Sequence, residues 1–241
     1  MSIHLCGGGW PFDADGAVFR PFLDEATGRA TDAGRLDGPR IAIVLVRDGD
    51  GPEKFVELSA VFGSLGKIEP IAVLAPEGAS IDDSLLVDID GLVVWGGLVP
   101  AYRESLQSSF ATIRALVESG VPYFGISAGA AVVSDGALIG GWKIGDVQVC
   151  PVDASQEIEQ VTVAAGIGLI DTAIDVHAAQ WGTVARLIAA TEAAVVDGGL
   201  AIDEQTTLIV GDGSLRVIGS GSVWSVSRDS GSVRVSTIGV G

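Results

Sequence analysis

The fold of this chain is decided by the stretch Val121–Ala131, VPYFGISAGAA. Its first half is a short run of large apolar residues, which is typical of a buried strand. Its second half holds only small residues around Ser127, which predicts a sharp turn into a helix. A serine flanked by glycines at such a turn forms the G-x-S-x-G pattern known as a nucleophile elbow. The turn lifts the hydroxyl above the sheet, and the next amide faces the position of a developing oxyanion.

Strands and helices alternate on the N-terminal side of this stretch. The unbroken apolar run Ile41–Val46 predicts a strand that is covered on both faces. Apolar residues near helical spacing predict helices over Glu53–Leu65 and Arg103–Glu118. We expect further strands over Ile3–Cys6, Ile68–Leu74, Asp90–Trp95 and Val121–Phe124. This β-α-β order predicts an α/β fold with a mostly parallel sheet.

The last third of the chain has a different pattern. Short β-type runs separated by glycine-containing turns predict an antiparallel meander over Thr207–Val210, Leu215–Ile218, Val223–Ser227 and Val233–Ile238. Because the sequence contains neither a long linker nor a fixed-period repeat, we predict one domain over residues 1–241. Residues 207–241 are then its β-rich C-terminal extension. The segment Val147–Val163 has little pattern, and we expect it to be a loop over the site.

The composition excludes several function classes. The net charge of −17 argues against binding to nucleic acid or to anionic membranes. No apolar run reaches transmembrane length, and the N-terminal residues do not resemble a signal peptide. The two cysteines, Cys6 and Cys150, are too far apart for metal-type spacing and are expected to be reduced. We therefore expect a cytoplasmic protein, and the sequence leaves both a monomer and a homodimer open.

The partners of Ser127 must come from few candidates, because the chain has only two histidines, His4 and His177. A short strand ends at His177 and is followed by a predicted helix, Trp181–Ala190. A histidine at a strand end is well placed to act as a general base. Glu204 is the best candidate for a third group that orients the imidazole. Asp203 is the alternative.

Four stretches of the chain resemble motifs of the S51 serine peptidases, which include dipeptidase E and cyanophycinase, and they occur in the same order as in that family. The elbow motif is similar to that family's G-T-S-A-G-A, with Ile126 in place of threonine. The other three stretches are Val94–Gly97, the segment from Gly168 through His177 to Leu187, and Ala201–Leu208. The resemblance runs from about Ile3 to Val217. It implies a three-layer α/β sandwich related to class I glutamine amidotransferases.

The resemblance also implies a role for each site residue. Ser127 would be the nucleophile, His177 the base, and Glu204 the residue that orients the base. The backbone amides of Gly97 and Ala128 would form the oxyanion hole. The implied activity is hydrolysis of short peptides through an acyl-enzyme, and it needs neither a metal nor an organic cofactor.

The chain departs from the cyanophycinase-type pattern at positions that contact substrate. Leu98 and Val99 stand in place of polar residues, Val176 in place of a glutamine, and Trp181 and Thr183 in place of arginines, so only Arg186 remains from the arginine series. The candidate substrate contacts are Leu98, Val99, Asp175, Trp181 and Arg186. We therefore expect a more apolar pocket and a small peptide or amide substrate with small or apolar side chains. Two other classes stay open: a non-peptidase amidase or esterase, and a catalytically silent homologue used for binding or assembly.

Overall fold

The computed structural model describes residues 2–12, 16–211 and 213–240, so the ends of the predicted domain and Asp212 lie outside the described residues. It contains helices α1 Arg20–Asp32, α2 Gly51–Leu65, α3 Val99–Leu106, α4 Phe110–Glu118, α5 Ala128–Ala131 and α6 Thr183–Glu192. The strands are β1 Ile3–Cys6, β2 Arg40–Val46, β3 Glu69–Ala75, β4 Gly91–Val94, β5 Tyr123–Ile126, β6 Gly136–Gly140, β7 Lys143–Ile144, β8 Val147–Gln148, β9 Thr162–Ala165, β10 Ala173–Val176, β11 Gly198–Ile202, β12 Thr206–Val210, β13 Arg216–Gly219, β14 Val223–Asp229 and β15 Ser232–Ile238.

The architecture is a three-layer α/β sandwich with a mostly parallel central sheet, as the sequence predicts. Seven strands follow the order β13-β12-β1-β5-β4-β2-β3. The five strands from β1 to β3 in this order are parallel to their neighbours, while β12 and β13 join antiparallel at the other edge. Strands β2, β4 and β5 are almost wholly buried, which explains their unbroken apolar runs.

The C-terminal strands are antiparallel, as predicted, but they are divided between two sheets. The pair β12–β13 extends the central sheet beside β1. The pair β14–β15 belongs to a second sheet of order β10-β11-β14-β15, in which β10 and β11 are parallel. The sequence does not predict strand β11, because two of its five residues are glycine and one is alanine, which leaves little β-type pattern.

The helical prediction over residues 103–118 is corrected by the structure. Two helices, α3 and α4, are separated there by a 3-10 turn at Gln107–Ser109. Helix α3 begins earlier, at Val99, because Pro100 suits the first turn of a helix. No helix of the described residues is long and apolar enough to cross a membrane.

The topology brings the carboxyl ends of two parallel strand groups together. In the central sheet, β1, β5, β4, β2 and β3 all end at the same edge, which is where open α/β sheets bind ligands. In the second sheet, β10 ends just before His177 and β11 ends two residues before Glu204. Residues that are far apart in the sequence therefore meet in one place.

Candidate active site

Ser127 sits in a strained turn between β5 and α5. Its backbone has φ of 51° and ψ of −108°, a combination that non-glycine residues rarely adopt. The turn is held by a 2.9 Å hydrogen bond from the Ser127 amide to the Cys6 carbonyl. The motif's glycines, Gly125 and Gly129, leave no room for a side chain, because a Cβ on either would overlap backbone atoms. The turn therefore requires glycine at both of the positions that flank Ser127, 125 and 129.

The structure brings Ser127, His177 and Glu204 into one hydrogen-bonded row. The Oγ of Ser127 lies 2.9 Å from Nε2 of His177, and Nδ1 of His177 lies 2.7 Å from Oε1 of Glu204. Since a carboxylate only accepts hydrogen bonds, Nδ1 carries the proton. The lone pair of Nε2 then faces the serine hydroxyl. The other histidine, His4, is buried in β1 against Ser2, Phe22 and Phe124.

Asp203, the alternative third group, has a different environment. Its buried carboxylate accepts hydrogen bonds from the amides of Ala179 and Ser222 and from the indole N–H of Trp224, at 2.9–3.0 Å. These donors come from two segments, the loop after His177 and the start of β14, so Asp203 ties its own loop, which carries Glu204, to the loop that carries His177. It makes no hydrogen bond to the His177 ring among the described residues.

The glycine run after β1 surrounds the imidazole, a role that the sequence did not reveal. Gly8 and Gly9 have φ of 102° and 90°. A Cβ on Gly8 would overlap Cε1 of His177, and one on Gly9 would lie 2.8 Å from Cβ of Glu204. The carbonyl of Gly7 also accepts a 3.0 Å hydrogen bond from the His177 amide. The only sequence signal for this contact is that the run directly follows a strand of the parallel sheet.

The His177 ring is enclosed on its remaining side by Trp181. The two rings are stacked, with centroids 3.9 Å apart and planes 9° apart. Burial lowers the pKa of His177 from its ordinary value of 6.5, and this effect outweighs Glu204, which acts to raise it. The imidazole is therefore neutral at neutral pH and can accept a proton.

The backbone amides of Gly97 and Ala128 are the donors predicted for the oxyanion hole. Gly97 follows β4, and Ala128 is the first residue of α5, where helical amides lack intrahelical partners. Among the described residues, neither amide donates a hydrogen bond. Gly96 lies so close to the serine that an added Cβ would be 3.0 Å from Cβ of Ser127. Tyr102 fixes this segment by donating a 3.1 Å hydrogen bond to the Gly96 carbonyl.

The row opens into a cavity of about 920 Å³. Its wall includes residues 152–157, which belong to the predicted loop Val147–Val163; strand β8 and the start of strand β9 also lie in that segment, so it is not a loop throughout. Seven large apolar residues line the cavity, and six carboxylates and one cationic side chain, Arg47, line it with them among the described residues. Arg47 is itself paired with Asp50 through two hydrogen bonds of 2.7 Å. The six acidic residues are Asp48, Asp50, Glu77, Asp153, Glu157 and Glu204.

Of the five predicted substrate contacts, two lie in the cavity wall and three are buried. Leu98 and Trp181 line the cavity. Val99 is buried, and its amide donates a 3.0 Å hydrogen bond to Oε1 of Gln156. Asp175 and Arg186 are buried and form a bidentate ion pair at 2.7 and 2.9 Å.

The predicted substrate contact of Asp175 and Arg186 is therefore corrected. Arg186 also donates through Nη1 to the carbonyls of Gly141 and Ala154, at 3.2 and 2.6 Å. With its guanidinium satisfied below the surface, Arg186 holds the cavity wall near Ala154 to strand β10, which ends just before His177. In residues 2–12, 16–211 and 213–240, no group of three or more His, Cys, Asp or Glu side chains is arranged to hold a metal ion.

Comparison with known proteins identifies similar folds but no family. No protein-family model matches the chain, and no curated protein matches it. A peptidase from an acI-B1 Actinobacterium is similar in structure, with 16% sequence identity and a TM-score of 0.59, over 100% of this chain and 94% of that one. A candidate Peptidase E protein from Listeria monocytogenes EGD-e has 13% identity and a TM-score of 0.52, over 91% of this chain and 98% of that one. At these identities the likeness establishes the fold that this chain shares with them.

Proposed function

We propose that this protein is a serine hydrolase that cleaves short peptides through an acyl-enzyme. The observation that carries the proposal is the row Ser127–His177–Glu204, with contacts of 2.9 and 2.7 Å at a strained strand-to-helix turn. Strained backbone at a residue of this kind is typical of functional sites. The two peptidases of similar fold support the choice of peptides over other acyl compounds.

The mechanism follows from the donors and acceptors of this row. His177 accepts the Ser127 proton at Nε2 as the hydroxyl oxygen attacks the scissile carbonyl carbon. Glu204 holds the Nδ1 proton and stabilises the imidazolium that forms. The amides of Gly97 and Ala128 donate to the oxyanion. His177 then gives its proton to the leaving amine, and a water molecule repeats the sequence to release the acid and regenerate Ser127.

A serine-directed fluorophosphonate tests the proposal, because it reacts only with an activated serine. We expect a single adduct at Ser127, located by mass spectrometry of the digested protein. Ser155, which lines the same cavity, is the internal control and is expected to remain unmodified. An adduct elsewhere, or none while a reference serine hydrolase reacts fully, would mean that Ser127 is not activated.

The rate of this labelling is expected to rise with pH around a midpoint below 6.5. The reason is that burial lowers the pKa of His177, so the neutral, proton-accepting form persists into mildly acidic solution. A protonated imidazole in contact with an indole quenches its fluorescence. Trp181 emission should therefore rise with the same midpoint, and the change should be absent in Trp181→Phe. A midpoint above 6.5 would show that Glu204 outweighs burial.

The variant Gly8→Ala is expected to lower the labelling rate by roughly 100-fold, the scale of a 1 Å displacement in a reacting group. The added methyl overlaps the His177 ring and must push it from Ser127. Gly231→Ala is the matched control, since Gly231 also has a positive φ, 91°, but nothing lies within 4 Å of its added Cβ. Equal effects of the two substitutions would assign the loss to backbone strain rather than to the imidazole.

A further inference from the structure

A second cavity adjoins the main one. It measures about 480 Å³ and is lined by Pro151, Asp153, Ala154, Gln180, Trp181 and Gly182. Asp153 and Trp181 line both cavities. The indole of Trp181 therefore stands at the boundary between the His177 ring and this second space, which the proposed mechanism does not use.

One face of the Trp181 ring has no aromatic or cationic partner among the described residues. His177 is stacked at 3.9 Å against the other face and covers it. Nevertheless, 41% of Trp181 is exposed to solvent, so its open surface is the opposite face and the ring edges. The face of an indole attracts cations, and of the aromatic side chains it does so most strongly.

The carboxylate beside this face is unpaired. Asp153 is exposed, and within the described part of the chain its side chain forms no ion pair or hydrogen bond. Its backbone is fixed, because the next residue, Ala154, accepts a 2.6 Å hydrogen bond from the buried Arg186. Gln180 is also held, since its Oε1 accepts a 2.9 Å hydrogen bond from the Glu204 amide. The wall is thus anchored on both sides of the free carboxylate.

The charged side chains around the second cavity are mostly negative, as Asp153 is. Asp48, Glu77 and Glu157 line the neighbouring cavity, where the single cationic lining residue among those described, Arg47, is already paired with Asp50. A cationic ligand meets an attractive field at this entrance, and an anionic ligand meets a repulsive one.

From the free indole face and the free carboxylate, we propose that this second cavity binds the cationic end of a lysine or arginine side chain of the substrate. A cation held 4–6 Å from the outer face of Trp181 lies about 8–10 Å from the His177 ring centroid. That separation suits the end of a long side chain. An α-ammonium group is attached to the α-carbon, one bond from the scissile carbonyl carbon, and would stay closer to Ser127.

This inference rests on the proposed hydrolysis for its meaning as a substrate site, but its test does not require turnover. The Ser127→Ala variant is titrated by calorimetry with N-acetyl-arginine amide and with N-acetyl-citrulline amide, its neutral isostere. We expect the arginine compound to bind about tenfold more tightly, the sum of a modest cation–π contact and an exposed ion pair. Adding Asp153→Asn or Trp181→Leu should reduce this preference to about threefold. Adding Asp146→Asn, which removes an exposed carboxylate from outside both cavities, should leave it unchanged.

Equal binding of the arginine and citrulline compounds would overturn the inference. So would an equal loss of preference in Asp153→Asn and Asp146→Asn, which would assign the effect to the net charge of −17. Alanine amide, which carries an α-ammonium group but no cationic side chain, is titrated in parallel. If it bound more tightly than N-acetyl-arginine amide, the assignment of the site to a side chain would be wrong. An arginine preference without phosphonate labelling of Ser127 would support the cation site and refute the hydrolase. Labelling of Ser127 without an arginine preference would support the hydrolase and refute the cation site.

Discussion

The Ser127→Ala variant is expected to lose about five to six orders of magnitude in turnover of short peptides, the loss seen when a serine nucleophile is removed from a triad. Without the hydroxyl, His177 has no proton to accept and no acyl-enzyme can form. Binding should be nearly unchanged, because the removed oxygen is one small group in a cavity of about 920 Å³. The measurement is kcat and KM on a dipeptide and ester panel.

The matched control for this loss is Ser155→Ala. Ser155 lines the same cavity but has no contact with His177, so its removal should change turnover by less than about threefold. If Ser127→Ala kept a tenth of the activity, another group would be the nucleophile. If the unmodified protein hydrolysed neither peptides nor esters and resisted the phosphonate, the catalytically silent class would be supported. Cleavage of esters with no detectable cleavage of any peptide would favour the esterase alternative.

Much of the fold follows from local sequence, because buried parallel strands require unbroken apolar runs. Ile41–Val46 and the strand before Ser127 are such runs, and both lie in the central sheet as predicted. The hydrogen-bonded row was also visible, since its members stand at strand ends and the chain offers only two histidines. Position at the carboxyl end of a strand is a local property, so residue type and spacing suffice to find it.

What the sequence did not reveal depends on contacts between distant segments. Gly8 follows β1, yet its conformation matters because the His177 ring occupies the space that a side chain would need. Arg186 has the residue type of an anion-binding group, but Asp175 and two carbonyls satisfy it below the surface. The acidic wall is assembled from loops after β2 and β3 and from segment 152–157, and no local pattern joins them.

The substitution Glu204→Gln is expected to lower turnover by about 10⁴-fold, the effect of converting a triad carboxylate to an amide. An amide can donate toward Nδ1 of His177, which stabilises the tautomer with the proton on Nε2. That nitrogen then cannot accept the proton of Ser127. The free energy of unfolding should change little, because Glu204 is partly exposed and the amide retains its shape. Turnover and thermal unfolding are measured on the same preparation.

Asp203→Asn is the informative counterpart, because it makes the same chemical change at the neighbouring residue. The Asp203 carboxylate accepts three N–H groups through both oxygens, so an amide nitrogen must face at least one donor. We expect a loss of roughly 1–3 kcal/mol in the free energy of unfolding, the cost of leaving buried donors unsatisfied. Turnover per folded molecule should fall far less than in Glu204→Gln. If Asp203→Asn instead abolished turnover without loss of stability, and Glu204→Gln spared it, Asp203 would be the residue that orients the imidazole during the reaction.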